Sequence, residues 1–273
     1  MAELMEKIGG EVPYLTTEQM REVDRAMIED YHIELIQMME NAGRNLARLA
    51  RTRFLGGDPR EKRVVILAGT GGNGGGALVC ARHLHNYGAV VQVVTTKDPG
   101  AFTPVPRHQL EILQRMRLPL SVADPFIRSR SLAAVEPRAG RKASLDELDG
   151  TPALIVDGII GYSLQGAPRG AAADLIRWAN RQGAPLLALD APSGVDTTTG
   201  TVYNPAIRAT ATMTLALPKE GLRAAGVREH VGELYLADIS VPPALYAGPG
   251  LGIDVGPIFA RSEIVRLEEK TDL

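Results

Sequence analysis

The chain of 273 residues has a single cysteine and no long apolar run. A lone Cys80 cannot form an intrachain disulfide, which fits a reducing compartment. No stretch approaches the roughly 20 apolar residues that a membrane span requires, so no membrane association is expected. The opening Met-Ala-Glu-Leu-Met-Glu-Lys lacks a basic region followed by an apolar one, so no signal peptide is expected and the expected location is cytoplasmic. Charge of one sign is lacking too. Thirty Lys+Arg against 32 Asp+Glu leave a net charge of −2, which argues against a nucleic-acid-binding surface as the main feature. What remains, 45% hydrophobic and 23% charged, is ordinary globular composition, enough for one large domain or one domain plus a small appendage.

The most informative stretch runs from Val64 through Gly69-Thr-Gly-Gly-Asn73-Gly-Gly-Gly76 to Leu84. It reads as a buried strand, Val64 to Ala68, then a glycine-rich turn, then a helix. Glycines reach backbone angles that let amides turn towards a ligand, and the helix adds its positive dipole end. That is the geometry of an anion site, most often for phosphate. Two absences narrow its chemistry. No Lys follows in G-K-[ST] form, which excludes a Walker P-loop. The next strand, Ala89 to Val94, runs into Thr95, Thr96 and Lys97 with Asp98 out in the loop, so the ribose-binding acid of a dinucleotide dehydrogenase is missing despite Gly69-x-Gly71-x-x-Gly74. The plain alternative is a turn that only lets helix and sheet pack closely. Asn73 amid so many glycines is an odd choice for that.

Thr16 to Gln19 forms a capping box that starts a helix carrying Met20, Val23 and Met27. A second amphipathic helix is expected from about Glu34 to Phe54, stopping at Gly56-Gly57-Asp58-Pro59. Arg107 to Met116 reads as helix, Leu118 to Val122 as a short strand, and 124–149 as surface loop and short helix. Ala153 to Asp157 is an apolar strand ending in a carboxylate. A helix from Gly170 to Gln182 follows, and Pro185 to Asp190 repeats the pattern of apolar strand and terminal Asp. Thr210 to Leu217 and Glu233 to Ile239 are further strands. The alternation implies an α/β fold with a mainly parallel, Rossmann-like sheet between two helical layers. The segment after Val241 reads as peripheral, which sets expected bounds of 1–243 for the domain and 244–273 for an extension.

In a parallel sheet the strand C-terminal ends share one edge, and ligands sit in the crevice beyond them. Three ends carry polar signals: the loop with Asn73, then Asp157, then Asp190-Ala-Pro-Ser193-Gly194-Val195-Asp196. A carboxylate closing an apolar strand is placed where burial can tune it for general acid–base work. Two carboxylates with Asn and Ser oxygens also suit a hard cation. Either Asp alone would read as a turn residue or helix cap. Two at matching topological places favour function.

Five motifs in this order resemble the N-terminal domain of the YjeF type, whose enzymes are NAD(P)H-hydrate epimerases. They are Met39-Glu-Asn-Ala-Gly43, Gly69-Thr-Gly-Gly-Asn73-Gly-Gly, Val156-Asp-Gly-Ile-Ile-Gly161, Leu189-Asp-Ala-Pro-Ser-Gly194 and Leu217-Pro-Lys-Glu-Gly-Leu222. The resemblance runs from about Tyr14 to Val241. It implies a three-layer α/β/α sandwich that often pairs as a homodimer and interconverts the R and S epimers of hydrated NADH or NADPH. It also implies a functional partnership with a dehydratase, which the family often fuses downstream. By the same resemblance one potassium ion per subunit would sit on Asn73, Asp157 and Ser193, and Asp190 would be the acid/base. Substrate contacts would fall on Asp190, on Gly72, Asn73, Gly74, Gly75 and Gly76, and on Gly161, Tyr162, Ser163, Leu164, Gln165 and Gly166.

The chain departs from the family pattern in places. Gly76 and Ala77 stand where the family usually has Asp-Gly, and Tyr162 and Ser163 where it has Thr-Gly. A ring at position 162 either stacks on a nicotinamide or adenine or fills the pocket, with stacking favoured. Two alternatives to the epimerase follow: a non-catalytic nucleotide-binding or scaffold protein, or an enzyme on another nucleotide-like metabolite. Lys219 either reaches a phosphate or is a solvated loop lysine. His83 and His85, two apart on a helix, do not face each other and read as surface or packing residues. Cys80 reads as a small core residue, and Met38 and Met39 as core or dimer-face packing. In the family the face near Glu40 and Asn41 lies close to the site.

Overall fold

The computed structural model describes residues 7–8, 12–123, 141–143 and 151–268. Its centre is a sheet of ten strands: β1 (Lys7–Ile8), β2 (Arg63–Ala68), β3 (Val90–Thr95), β4 (Leu120–Ala123), β5 (Arg141–Ala143), β6 (Leu154–Gly158), β7 (Leu186–Leu189), β8 (Ala211–Leu215), β9 (Glu233–Ala237) and β10 (Ile264–Leu267). The order across the sheet is β1-β10-β9-β8-β7-β6-β2-β3-β4-β5. Every neighbouring pair is parallel except β9 with β10. Strands buried on both faces need unbroken apolar runs, and β2, β6 and β7 have them, as the sequence led us to expect.

Successive side chains point to opposite faces, so each run feeds two cores. Val64, Ile66, Leu154, Val156, Leu187 and Leu189 pack beneath α2 (Leu35–Leu49), α3 (Gly72–Asn86) and α4 (Pro104–Arg115). Val65, Leu67, Ile155, Leu186 and Ala188 face α5 (Gly170–Asn180) on the other side. A third cluster joins α1 (Thr17–Glu29) and α6 (Pro243–Ala247) to Leu236 and Val265 of the sheet. The three-layer α/β/α arrangement is therefore in place. Thr16 caps α1 as anticipated, its hydroxyl accepting from the Gln19 amide at 3.1 Å while the Gln19 side chain accepts from the Thr16 amide. The second helix continues through a wider turn over Ala50–Phe54 and ends where Gly56 and Gly57 both take positive φ.

Three expectations need correction. The helix after the glycine loop begins earlier, at Gly72, so Asn73 to Gly76 lie within its first turn and a half and not in a preceding loop. Of 124–149, only Arg141–Ala143 is among the described residues, and it forms the edge strand β5 beside β4. The segment read as peripheral adds β10 to the sheet, and Leu245, Tyr246, Ile264 and Val265 are buried in the core. Prolines and glycines masked the short apolar run Ile264–Val265, which becomes legible as a strand only once β9 lies beside it.

From β2 the chain steps through β3 towards β5, whereas from β6 it steps through β7 towards β9, so the direction reverses between β2 and β6. Those two pair with Leu67 opposite Asp157 and Ala68 opposite Gly158. A crevice opens beyond the strand ends at such a reversal.

Candidate active site

The first wall of the crevice is the start of α3, and its glycines divide into two sets. Gly71 and Gly72 look into open space. Gly69, Gly74 and Gly158 are needed for close packing. A Cβ at Gly74 would overlap the Gly69 carbonyl, and one at Gly158 would overlap Ala77. Gly75 faces Met39 and Pro106, and its amide bonds to the Gly71 carbonyl at 3.0 Å. Gly76 faces Leu189, whose Cδ2 would lie 2.8 Å from an added Cβ. The amides ahead of Gly75 are thus the ones that the start of the helix leaves open. Position 76, where the family carries an acid, points at the core in this chain.

Asp157 closes β6 wholly buried. Its Oδ2 accepts from the Ser193 amide at 2.8 Å, and its Oδ1 from the Ser193 hydroxyl at 2.7 Å and the Ile159 amide at 3.1 Å. Burial pushes its pKa up to about 6, with the hydrogen bonds from Ser193 and Ile159 opposing the rise. The Ser193 hydroxyl also accepts from the Ile160 amide at 2.8 Å. Asn73 reaches the same loop from α3: a Cβ on Gly161 would come within 3.0 Å of its Oδ1. The Asn73 Nδ2 is buried without a hydrogen-bond partner. Asn73, Asp157 and Ser193, expected together, converge on the loop after β6.

Asp190 follows β7 with φ of +65°, a left-handed conformation that non-glycine residues rarely adopt. Its amide is pinned to the Met213 carbonyl at 2.7 Å. Its carboxylate meets Lys219, which is wholly buried. That corrects both readings of Lys219, as a phosphate contact and as a solvated lysine. Among the described residues, the other Asp190 oxygen receives only the Tyr162 amide, at 3.3 Å. The Tyr162 hydroxyl donates to Asp24 of α1, and its ring packs against the apolar cluster of that helix. The ring is thereby held against α1, and it also lines the cleft beside that helix. Burial raises the Asp24 carboxyl above its usual range, with the Tyr162 hydrogen bond opposing. Asp24 went unnoticed in the sequence because it sits mid-helix, 138 residues from its partner. Lys219 carried one signal, a lysine in an apolar stretch two residues after Leu217.

Beside Tyr162 lies a cleft of about 380 Å³ whose wall includes Thr17, Arg21, Leu164 and Thr197. Ser163 and Gln165 are exposed and Gly166 has φ of +73°, so this turn forms an open rim. The remaining candidates stay outside the chemistry. Glu40 pairs with Arg82 and His83 across α2 and α3, and no group of three or more His, Cys, Asp or Glu suited to a metal occurs among the described residues. Cys80 is buried, which raises its thiol pKa and leaves it inert. Met38 and Met39 are buried.

The family described as YjeF-related protein N-terminus matches residues 35–221, a span that holds Asn73, Asp157, Asp190, Ser193 and Lys219. The chain belongs to this family. Among YjeF-related proteins, it is 40% identical over 259 residues to an NAD(P)H-hydrate epimerase of Dehalogenimonas lykanthroporepellens, covering 95% of this chain and 94% of that one. It is 36% identical to an NAD(P)H-hydrate epimerase of Truepera radiovictrix, covering 83% and 90%. A bifunctional NAD(P)H-hydrate repair enzyme of Salinibacter ruber is 36% identical over 85% of this chain, which spans only 41% of that protein. The crystal structure of yeast YNL200c superposes with a TM-score of 0.72 at 22% identity, over 94% of this chain and all of that one, and shows the shared fold.

Proposed function

We propose that this YjeF-related protein is an NAD(P)H-hydrate epimerase that interconverts the R and S epimers of hydrated NADH and NADPH. The observation that carries the reading is the near full-length similarity to a protein of that name, joined to an Asp190 carboxylate oxygen at the sheet edge that receives, among the described residues, only one long hydrogen bond. The hydrate carries a hydroxyl on the ring carbon next to the ring nitrogen. Asp190 takes the hydroxyl proton as the carbon–nitrogen bond opens to an aldehyde and passes that proton to the nitrogen. Rotation and reclosure from the other face return the opposite epimer. No oxidant or net proton is consumed, so one positioned carboxylate suffices. The open amides before Gly75 and the positive end of α3 suit the dinucleotide phosphates.

The donor set also fits a potassium ion. A carboxylate, a hydroxyl and the Asn73 amide carbonyl are the oxygen-bearing groups that a hard cation takes. Asn73, Asp157 and Ser193 would hold it, one ion per subunit, and it would supply positive charge beside the phosphates. We further assign a homodimer, a cytoplasmic location and a functional partnership with a dehydratase. No helix among the described residues is long and apolar enough to cross a membrane.

The test is direct: one purified epimer of hydrated NADH is incubated with the protein, and the epimer ratio is followed by chromatography. Equilibration well ahead of buffer is expected, and a rate equal to buffer removes the assignment. The Tyr162–Asp24 hydrogen bond favours a second reading, an enzyme on another nucleotide-like metabolite, because it fixes a ring where the family has a small residue. Nucleotide binding without epimerisation would move the assignment there.

A further inference from the structure

We propose that Lys219 is a positioning residue that holds one oxygen of the Asp190 carboxylate and leaves the other for the substrate. The proposal rests on the epimerase reading, and the geometry carries it further. The Lys219 ammonium has three acceptors for its three N–H groups: Asp190 Oδ1, the Leu215 carbonyl at 2.9 Å and the Thr214 hydroxyl at 3.3 Å. None is left for a phosphate. The lysine is wholly buried and Asp190 nearly so. Both arrive on neighbouring strand ends, since Leu189 of β7 pairs with Met213 of β8.

Each backbone is separately braced. Asp190 holds φ of +65° with its amide on Met213. The Lys219 segment is clamped by Leu15, whose amide donates to the Pro218 carbonyl at 2.7 Å and whose carbonyl accepts from the Glu220 amide at 2.9 Å. Ala216, in the same connection, also takes positive φ, at +63°. Two connections held in an uncommon conformation to bring one ion pair together favour a role in the chemistry over plain neutralisation. The other charged and titratable groups facing the pair are Asp24 from α1 and the Tyr162 phenol from the loop after β6, with Arg21 of α1 beyond them beside Tyr162. None of them bonds to the oxygen that Lys219 holds.

The experiment compares wild type, Lys219→Met, Asp190→Asn and the double variant, with kcat and KM for epimerisation measured alongside melting temperature. Lys219→Met is expected to lower kcat by on the order of 10–100-fold while KM stays within about threefold. The double variant is expected to be no slower than Asp190→Asn, because Lys219 acts only through that carboxylate. Removing both charges leaves no unpaired ion, so the double variant folds even where Lys219→Met does not. An unchanged kcat in Lys219→Met, a rise confined to KM, or a double variant about tenfold slower than Asp190→Asn would each overturn the proposal. A readout independent of turnover is the carboxyl carbon signal of Asp190 in aspartate-labelled protein, identified by its loss in Asp190→Asn. It should move in Lys219→Met. An unmoved signal overturns the proposal, whereas absent epimerisation by wild type with a moved signal overturns only the epimerase reading.

Discussion

Asp157 and Asp190 end two adjacent apolar strands, yet the protein treats them differently. Asp157 is surrounded by amides and a hydroxyl, with no basic side chain bonded to it among the described residues, and burial raises its pKa to about 6. Asp190 has a lysine on one oxygen and, among the described residues, only the Tyr162 amide at 3.3 Å on the other. A carboxylate held by three fixed donors is suited to shape a loop and to offer its remaining lone pair to a cation. A carboxylate with one oxygen tied and one free is suited to move a proton. Strand position is therefore common to both, and the partners set the role.

The contrast is broken most forcefully at Asp190. Asp190→Asn is expected to lower the epimerisation rate by about 100-fold or more. It should also destabilise the protein by about 3–5 kcal/mol, because a wholly buried Lys219 loses its counter-charge. Kinetics and denaturant melts on the same preparation check both parts. Normal stability would mean that the ion pair contributes little to the fold.

At Asp157 the prediction concerns pH. Its pKa of about 6 in the fold lies above its ordinary value of 3.8, so the fold favours the protonated form. That contribution is complete below about pH 4 and is lost as pH rises through about 6, amounting to about 3 kcal/mol. A stability–pH curve should therefore fall across this window in wild type and stay flatter in Asp157→Asn. Potassium should restore stability above the window in wild type alone. A curve with the same slope in both proteins would remove the difference drawn between the two carboxylates.

Tyr162 links both regions, since its amide meets Asp190 and its hydroxyl meets Asp24. Tyr162→Phe should cost about 1 kcal/mol by leaving the half-buried Asp24 carboxyl without its donor. Nucleotide affinity, read by calorimetry, should change little because the ring remains packed on α1. A marked loss of affinity would show that the phenol itself contacts the ligand. The smallest effect is expected at Thr16→Ala, about 1 kcal/mol of stability from the lost helix cap. Its kcat should match wild type, giving the baseline for a change at α1 that spares the carboxylates.

Local signals determined much of this protein. Apolar runs marked β2, β6 and β7, and Thr16 with Gln19 marked the start of α1, because these depend on neighbours in sequence. The glycine run and the two strand-end acids also placed Asn73, Asp157, Ser193 and Asp190 on one edge, since a parallel sheet leaves no other place for strand C-termini. Tertiary structure alone decided the rest. Lys219 lies 29 residues from Asp190, and Asp24 lies 138 from Tyr162, distances over which no periodicity carries information. Gly76 shows which way a helix turn faces only when Leu189 is beside it, and β10 is a strand only when β9 supplies its hydrogen bonds. Residue type and spacing say where a polar group can sit. Which group meets it, and hence whether it braces the fold or moves a proton, is settled by distant segments packed against it.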